Sequence, residues 1–176
     1  RRASERSCGR DLGLRKEGVQ ITWEGKGGML WQELRAVLNR MVSMGVAPDV
    51  LVKHLGENDL VKQRGLSVLQ AMKGDMKEVA RSWSGTYIMW TEWMPRRVWR
   101  GAVKPAAIDR ARRKINAEMR AFCREEGYGR VVHSGITFKE AGFFRSDGVH
   151  LSGVGLEMYI MTLREAIAAA LGVAAW

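Results

Sequence analysis

The stretch Pro48–Leu60, PDVLVKHLGENDL, joins a short apolar run to a cluster of small and polar residues. The run Val50–Leu55 has the length and composition of a strand that is buried in a sheet. A turn needs only one glycine, asparagine or aspartate, because these residues tolerate positive φ or hydrogen-bond to their own backbone. The sequence Gly56–Asp59 is therefore more than a turn requires, and it is the first candidate for a functional loop.

The composition of the chain is that of a soluble globular protein. Its 176 residues are predicted to form a single domain over 1–176, and 46% of them are apolar. No apolar run approaches the roughly 18 residues of a membrane span, and no signal peptide opens the chain. We therefore expect an intracellular, cytoplasmic protein that is not an integral membrane protein. Cys8 and Cys123 form no CxxC pair and are expected to be reduced and structural.

Apolar spacing along the chain alternates between strand-like and helix-like segments. In chain order, the predicted elements are a helix at Arg1–Arg10, a strand at Val19–Trp23, a helix at Leu30–Val42, a strand at Val50–Leu55, a helix at Leu66–Val79, a strand at Thr86–Thr91, a helix at Ile108–Phe122 stopped by Gly127, a strand at Val131–His133 and a helix at Gly153–Leu171. Strand and helix pairs of this length predict an α/β fold, with a parallel sheet that carries helices on both faces.

Two polar loops are expected at the same edge of this sheet. Ligand sites of parallel sheets lie beyond the carboxyl ends of the strands. Gly56–Asp59 follow one predicted strand, and Phe144–Ser152, FRSDGVHLS, lie between the last predicted strand and the last helix. The two loops are therefore predicted to converge where chemistry would take place.

Asp147 and His150 in the second loop have the spacing of a catalytic pair. At this spacing the carboxylate can accept the imidazole Nδ1 proton, which leaves Nε2 free to act as a base. Asn58 offers a side-chain amide, and Gly28, in the glycine-rich run Gly25–Met29, offers an unhindered backbone N–H. These two donors could bind a developing oxyanion.

Each of these motifs also has a structural interpretation. Asp147-Gly148 is a common turn dipeptide, and Ser152 is a suitable N-cap for the last helix. Asn58 and Asp59 could cap the following loop or helix, and for an isolated Asn-Asp pair that interpretation is the stronger one. The order of the motifs along the chain, from the glycine loop to Asp-x-x-His before a terminal helix, favours a catalytic site.

In this order Gly28, Gly56–Asp59 and Asp147–His150 resemble the later conserved blocks of the SGNH or GDSL-like hydrolases. The resemblance covers essentially the whole chain and is strongest toward SGNH-like domains of vertebrates, some of them associated with mobile elements. It implies a flavodoxin-like three-layer α/β/α sandwich and the hydrolysis of small acyl esters. By this resemblance His150 is the general base, Asp147 orients it, and Asn58 and Gly28, or less favourably Gly27, are oxyanion-hole donors.

The nucleophile of the family has no counterpart in the chain. The family places its serine in a Gly-Asp-Ser or Gly-His-Ser turn after the first strand, and none of the nine serines lies in such a turn. Ser4 and Ser7 lie in the first predicted helix. The resemblance therefore implies that the serine and the first strand precede residue 1, and that the chain as given is inactive. The alternative is a non-catalytic SGNH-like remnant.

Loss of that first strand would expose its neighbours. In the family it is central, between the strands that here begin near Val19 and Val50, so both would lose a hydrogen-bonded edge. Lys53 is a second irregularity, because a strand covered on both faces is usually continuous in Val, Ile and Leu. An unpaired lysine there is costly, so it is expected either to reach solvent at the end of the strand or to mark a decaying copy.

The net charge of +10 is concentrated in Pro95–Lys114, which holds eight Lys or Arg and one acid. With Trp93 and Trp99 interleaved, this segment has the composition of a surface for nucleic acid, and anionic lipid headgroups would also suit it. The arginines assigned to such a surface are Arg96, Arg97, Arg100, Arg110 and Arg113. The favoured interpretation is a solvated basic helix face with the tryptophans packed beneath it.

No metal or cofactor is predicted. His54, His133 and His150 lack the spacing of metal ligands. A phosphate-binding loop is also excluded, because the glycine that precedes Gly25-Lys26 is Gly18, at the wrong spacing.

Overall fold

The computed structural model describes residues 10–45 and 47–175. Most of the helix predicted at Arg1–Arg10 lies outside these ranges, as do Ser4, Ser7 and Cys8. The described residues divide into two compact units. The first unit comprises residues 10–23, 94–99 and 131–175, and the second comprises residues 24–45, 47–93 and 100–130.

Strands and helices alternate along the described chain, as predicted. In order they are α1 (Trp31–Ser43), β1 (Val50–Lys53), α2 (Gly65–Ser82), β2 (Tyr87–Thr91), α3 (Pro105–Glu126), β3 (Gly129–Val131) and α4 (Gly153–Leu171). Short 3-10 helices occupy Arg15–Glu17, Glu57–Val61 and Ala141–Phe143. The α/β fold class and the four helices predicted between Leu30 and Leu171 are confirmed.

The three strands form one sheet in the order β1-β2-β3. β1 and β2 pair in parallel, with Val50 opposite Tyr87 and Lys53 opposite Trp90. Among the described residues β1 is therefore an edge strand.

β3 begins two residues earlier than the predicted strand at Val131–His133. Gly129 lies so close to β2 that a Cβ there would be 2.7 Å from Met89 Cγ and 2.8 Å from Tyr87 Cε1. Glycine in a strand often marks such a close approach. β3 therefore begins at a residue whose lack of a side chain lets it approach β2 closely. Apolar composition alone does not predict that starting point.

The strand predicted at Val19–Trp23 is wrong. These residues adopt no regular secondary structure, and Trp23 is 53% exposed. The Trp23 indole donates a hydrogen bond to the carbonyl of Arg10 at 2.6 Å. Alternating apolar residues form a stable strand only when neighbouring strands accept its backbone hydrogen bonds. The described residues supply no such neighbour for this segment.

The core of the second unit lies between the sheet and its helices. Its fully buried side chains include Ile88 and Trp90 of β2, Met72 and Met76 of α2, and Met119 of α3. α3 ends at Gly127, which adopts a left-handed φ of 72° and stops the helix as predicted. The helices are therefore positioned by apolar stripes that the sequence already displays.

Lys53 at the end of β1 does not reach solvent, contrary to one of the two expectations for it. Its side chain is 2% exposed, and Nζ has no hydrogen-bond partner among the described residues. Burial lowers the pKa of Lys53 to about 8, although the attraction of Asp75 opposes this effect. The second unit thus contains a buried amine with no hydrogen-bond partner in the part of the chain that the structure describes.

Candidate functional site

The polar loop after β1 is anchored to the start of α1. Asp59 is fully buried, and its Oδ2 accepts a hydrogen bond from the backbone N–H of Trp31 at 2.9 Å. Its Oδ1 accepts a second one from Gln63 Nε2 at 2.6 Å. Asp59 therefore satisfies an orphan donor of a helix that lies earlier in the chain, not the following helix.

Gly56 is required where the loop leaves the strand. Its φ is 109°, which L side chains rarely adopt, and a Cβ there would lie 2.5 Å from Trp93 Cζ2. The Trp93 indole in turn donates to the Leu55 carbonyl at 2.9 Å. Gly56 and Asp59 of the opening stretch are thus explained by packing and capping.

Asn58 lies against the glycine-rich run. Its Nδ2 donates to the carbonyl of Met29 at 3.2 Å, and Met29 directly follows Gly28. Gly28 is exposed and has a φ of 72°. The structure therefore brings together, within the second unit, the two segments that carry the predicted oxyanion donors.

Asp147 and His150 occupy a tight turn in the first unit. Phe144 and Leu151 form an antiparallel bridge at its base. The backbone N–H of Arg145 donates to the His150 carbonyl at 2.8 Å, and that of Gly148 donates to the Arg145 carbonyl at 2.9 Å. These bonds fix the backbone conformation of the turn that holds Asp147 and His150.

The predicted hydrogen bond between the two side chains is present. Nδ1 of His150 lies 2.6 Å from Oδ2 of Asp147. Asp147 Oδ1 also accepts from the backbone N–H groups of Val149 and His150, each at 2.9 Å. The bond from the His150 ring and these two backbone bonds hold the pKa of Asp147 well below its usual range.

This arrangement prepares His150 to act as a base. An ionised Asp147 accepts the proton on Nδ1, so Nε2 carries the lone pair. The His150 side chain is 62% exposed, so a reacting group has open access to it. Asp147 can then stabilise the imidazolium that forms when Nε2 takes a proton.

A second segment, which contains Arg97 and Val98, is hydrogen-bonded to this turn, and the sequence analysis did not predict that contact. The backbone N–H groups of Arg97 and Val98 both donate to the Gly148 carbonyl, at 2.9 and 3.0 Å. A Cβ on Gly148, whose φ is 66°, would lie 2.7 Å from Val98 Cγ2. Gly148 is therefore needed for its conformation and for this close approach.

Ser152 is the N-cap of α4, as predicted. Its hydroxyl oxygen accepts from the backbone N–H of Gly155 at 3.1 Å, and the hydroxyl donates to the Gly142 carbonyl. Within the described residues of the first unit, no serine is hydrogen-bonded to His150.

The five arginines of the predicted basic surface are divided between the units, with Arg96 and Arg97 in the first and Arg100, Arg110 and Arg113 in the second. The Arg96 guanidinium lies 5.2 Å from the centre of the Trp99 ring. Trp93 and Trp99 are 1% and 5% exposed, so their faces are not open for stacking with bases. Both tryptophans are buried, as the favoured interpretation expected.

Two further observations concern other site types. Within residues 10–45 and 47–175, no three His, Cys, Asp or Glu side chains are grouped so that they could hold a metal ion, and no helix is long and apolar enough to cross a membrane.

Cys123 is a buried free thiol whose pKa is raised to about 11 by burial. A thiol with such a pKa is a poor nucleophile, which agrees with a structural role.

Comparison with known proteins finds neighbours in structure only. No family model matches the chain, and no curated protein matches its sequence. A GDSL-like lipase from Bacteroides thetaiotaomicron superposes with a TM-score of 0.73 at 16% identity, over 89% of this chain and 78% of that one. A lipolytic protein of the G-D-S-L family from Veillonella parvula gives a TM-score of 0.73 at 15% identity, over 89% and 85%.

The chain has the SGNH hydrolase fold. A family 3 carbohydrate esterase from Clostridium thermocellum supports this assignment, with a TM-score of 0.67 at 18% identity over 93% of this chain and 86% of that one. The predicted flavodoxin-like α/β fold is therefore confirmed. Because one fold hosts many chemistries, these likenesses show the architecture and leave the activity to the site residues.

Proposed function

We propose that the chain forms the larger part of an SGNH-type serine esterase that hydrolyses small acyl esters. The observation that carries this proposal is the bond of 2.6 Å between Asp147 and His150, on a turn that leaves the imidazole open. The likeness to structures of lipolytic and esterase proteins supports it. In this proposal residues 1–176 belong to one domain of a cytoplasmic protein related to the vertebrate SGNH-like domains, including those associated with mobile elements.

The reaction would proceed by covalent catalysis. His150 Nε2 removes the proton from a serine hydroxyl as its oxygen attacks the acyl carbon, and then gives that proton to the leaving alcohol. Water, deprotonated by the same nitrogen, attacks the acyl carbon, and His150 returns the proton to the serine oxygen as the acid leaves. Asn58 Nδ2 and the backbone N–H of Gly28 donate to the oxyanion that forms in each step.

The serine of this proposal lies upstream of residue 1, after a strand that pairs with the open edge of β1. The edge position of β1 supports this, because a parallel strand in the interior of a sheet has a partner on each side. It follows that the chain by itself would not turn over an ester.

A fluorophosphonate probe tests the proposal, because it labels only an activated serine. We expect one adduct by intact mass on a form extended upstream through the missing strand, and none on residues 1–176. His150→Ala should abolish the adduct, whereas Glu140→Ala, an exposed change in the same unit, should not. Labelling that persists in His150→Ala would refute the assignment of the base.

A second candidate function is a non-catalytic SGNH-like module that binds nucleic acid or acidic lipid. The net charge of +10 favours it. Such binding would weaken steeply with added salt, because phosphate contacts release counterions. Failure to retain either a single-stranded oligonucleotide or phosphatidylserine vesicles at low salt would exclude this function.

A further inference from the structure

Two arginines are hydrogen-bonded through their backbone to the turn that holds His150. Arg145 donates its backbone N–H to the His150 carbonyl at 2.8 Å, and Arg97 donates its own to the Gly148 carbonyl at 2.9 Å. The Cβ of Arg97 lies only 3.0 Å from where a Cβ of Gly148 would stand. Both side chains are exposed. Arg145 belongs to the turn itself, and Arg97 belongs to the segment that is hydrogen-bonded to it.

The side chains of Arg97 and Arg145 have no carboxylate partner among the described residues. Within the described part of the chain, neither guanidinium forms an ion pair. Asp147, the only acid in the turn, is already bound to the His150 ring and to two backbone N–H groups.

Some exposed arginines elsewhere in the chain form ion pairs. In the second unit Arg35 pairs with Asp75 at 2.8 Å, and Arg40 pairs with Glu24 at 2.5 Å. Arg120 pairs with Glu92 at 3.0 Å. Other exposed arginines, such as Arg81 and Arg124, also form no ion pair among the described residues, so what distinguishes Arg97 and Arg145 is their position at the turn of His150.

We propose that Arg97 and Arg145 bind an oxyanion, a phosphate or a carboxylate, that is part of the ester substrate. This inference rests on the proposed function and specifies its substrate class as acyl esters that also carry a negative charge. Guanidinium groups bind such oxyanions with two parallel hydrogen bonds, which fixes orientation as well as position. Since the backbone of both arginines is hydrogen-bonded to the turn, the anion would bind near the His150 ring.

The binding part of the inference can be tested on residues 1–176 without catalysis. The probe is inorganic phosphate, with acetate in a second arm, added at low ionic strength and constant pH while the His150 ring resonances are followed by NMR. The chain has three histidines, so His150→Gln assigns the signal. We expect a saturable shift of the His150 resonance, weakened by added sodium chloride.

Variants separate specific binding from general attraction. Arg97→Gln and Arg145→Gln should each weaken phosphate binding about tenfold, and Arg97→Lys should weaken it less because charge is kept but the fork is lost. Arg124→Gln removes an exposed arginine of α3 and serves as the matched control, with no change expected. No saturable shift, or equal effects of Arg124→Gln and Arg97→Gln, would overturn the inference.

A kinetic arm on the upstream-extended form distinguishes this inference from the proposed function. The ratio of kcat/KM for 4-acetoxyphenyl phosphate to that for neutral 4-nitrophenyl acetate should fall about tenfold in Arg97→Gln and in Arg145→Gln. Hydrolysis of both esters with a ratio that neither variant alters would refute the substrate class and leave the esterase intact. Phosphate binding through both arginines without any ester hydrolysis would refute the esterase and support the anion site.

Discussion

Lys53→Met is expected to raise the free energy of unfolding at neutral pH. The lysine side chain is 2% exposed and its Nζ has no hydrogen-bond partner among the described residues, so the folded state bears the cost of burying a charge. Methionine has a similar length and no charge, and it fills irregular core space well. The substitution should therefore remove the cost without opening a cavity.

The size of the effect follows from the pKa of Lys53. Burial lowers that pKa from 10.5 to about 8. At about 1.36 kcal/mol per pH unit, this difference corresponds to roughly 3 kcal/mol of lost stability when the amine is charged in both states. The full penalty applies below pH 8 and decreases as pH rises from about 8 to 10.5. Above 10.5 the penalty is absent, because the amine is then neutral in both the folded and the unfolded protein.

Urea unfolding of the wild type and the variant at pH 7, 9 and 10.5 measures this difference. We expect Lys53→Met to be more stable by about 3 kcal/mol at pH 7, with a gap that closes as pH rises and unchanged m-values. Lys16→Met, at an exposed position, should change stability by less than about 0.5 kcal/mol. A variant less stable than wild type at pH 7, or a gap independent of pH, would show that the Lys53 ammonium has a stabilising partner.

Three further predictions concern the loop after β1, helix α2 and the buried thiol. Asp59→Ala should destabilise the protein by about 1–3 kcal/mol in urea unfolding, because it leaves the start of α1 uncapped in a buried setting. Gly56→Ala should cost more than about 2 kcal/mol in the same assay, since its φ is 109°, whereas Gly74→Ala should stabilise by up to about 1 kcal/mol because a Cβ there meets nothing within 4 Å. Similar effects of the two glycine variants would contradict this contrast. In a Cys8→Ala background, Cys123 should react with a thiol reagent at pH 8 only after unfolding, since its pKa is about 11; rapid reaction of the folded protein would refute its burial.

Features that depend on local spacing could be predicted from the order of the residues. Apolar stripes at helical intervals predicted α1 to α4, and Gly127 and Ser152 marked a helix end and a helix start. The bond between Asp147 and His150 was also predictable, because it joins residues three positions apart on one turn. Such interactions need only neighbours along the chain, so residue type and order are sufficient to predict them.

Features that depend on distant partners could not be predicted in this way and are visible only in the folded chain. Val19–Trp23 alternate like a strand but have no strand to pair with among the described residues. Asp59 caps a helix that starts 28 residues earlier, and Arg97 and Val98 support the turn at Gly148 from a separate segment. Lys53 is buried although its residue type favours solvent. Register, burial and long-range hydrogen bonds are set by how whole elements pack, because each residue type can satisfy its chemistry in several places and only packing selects one.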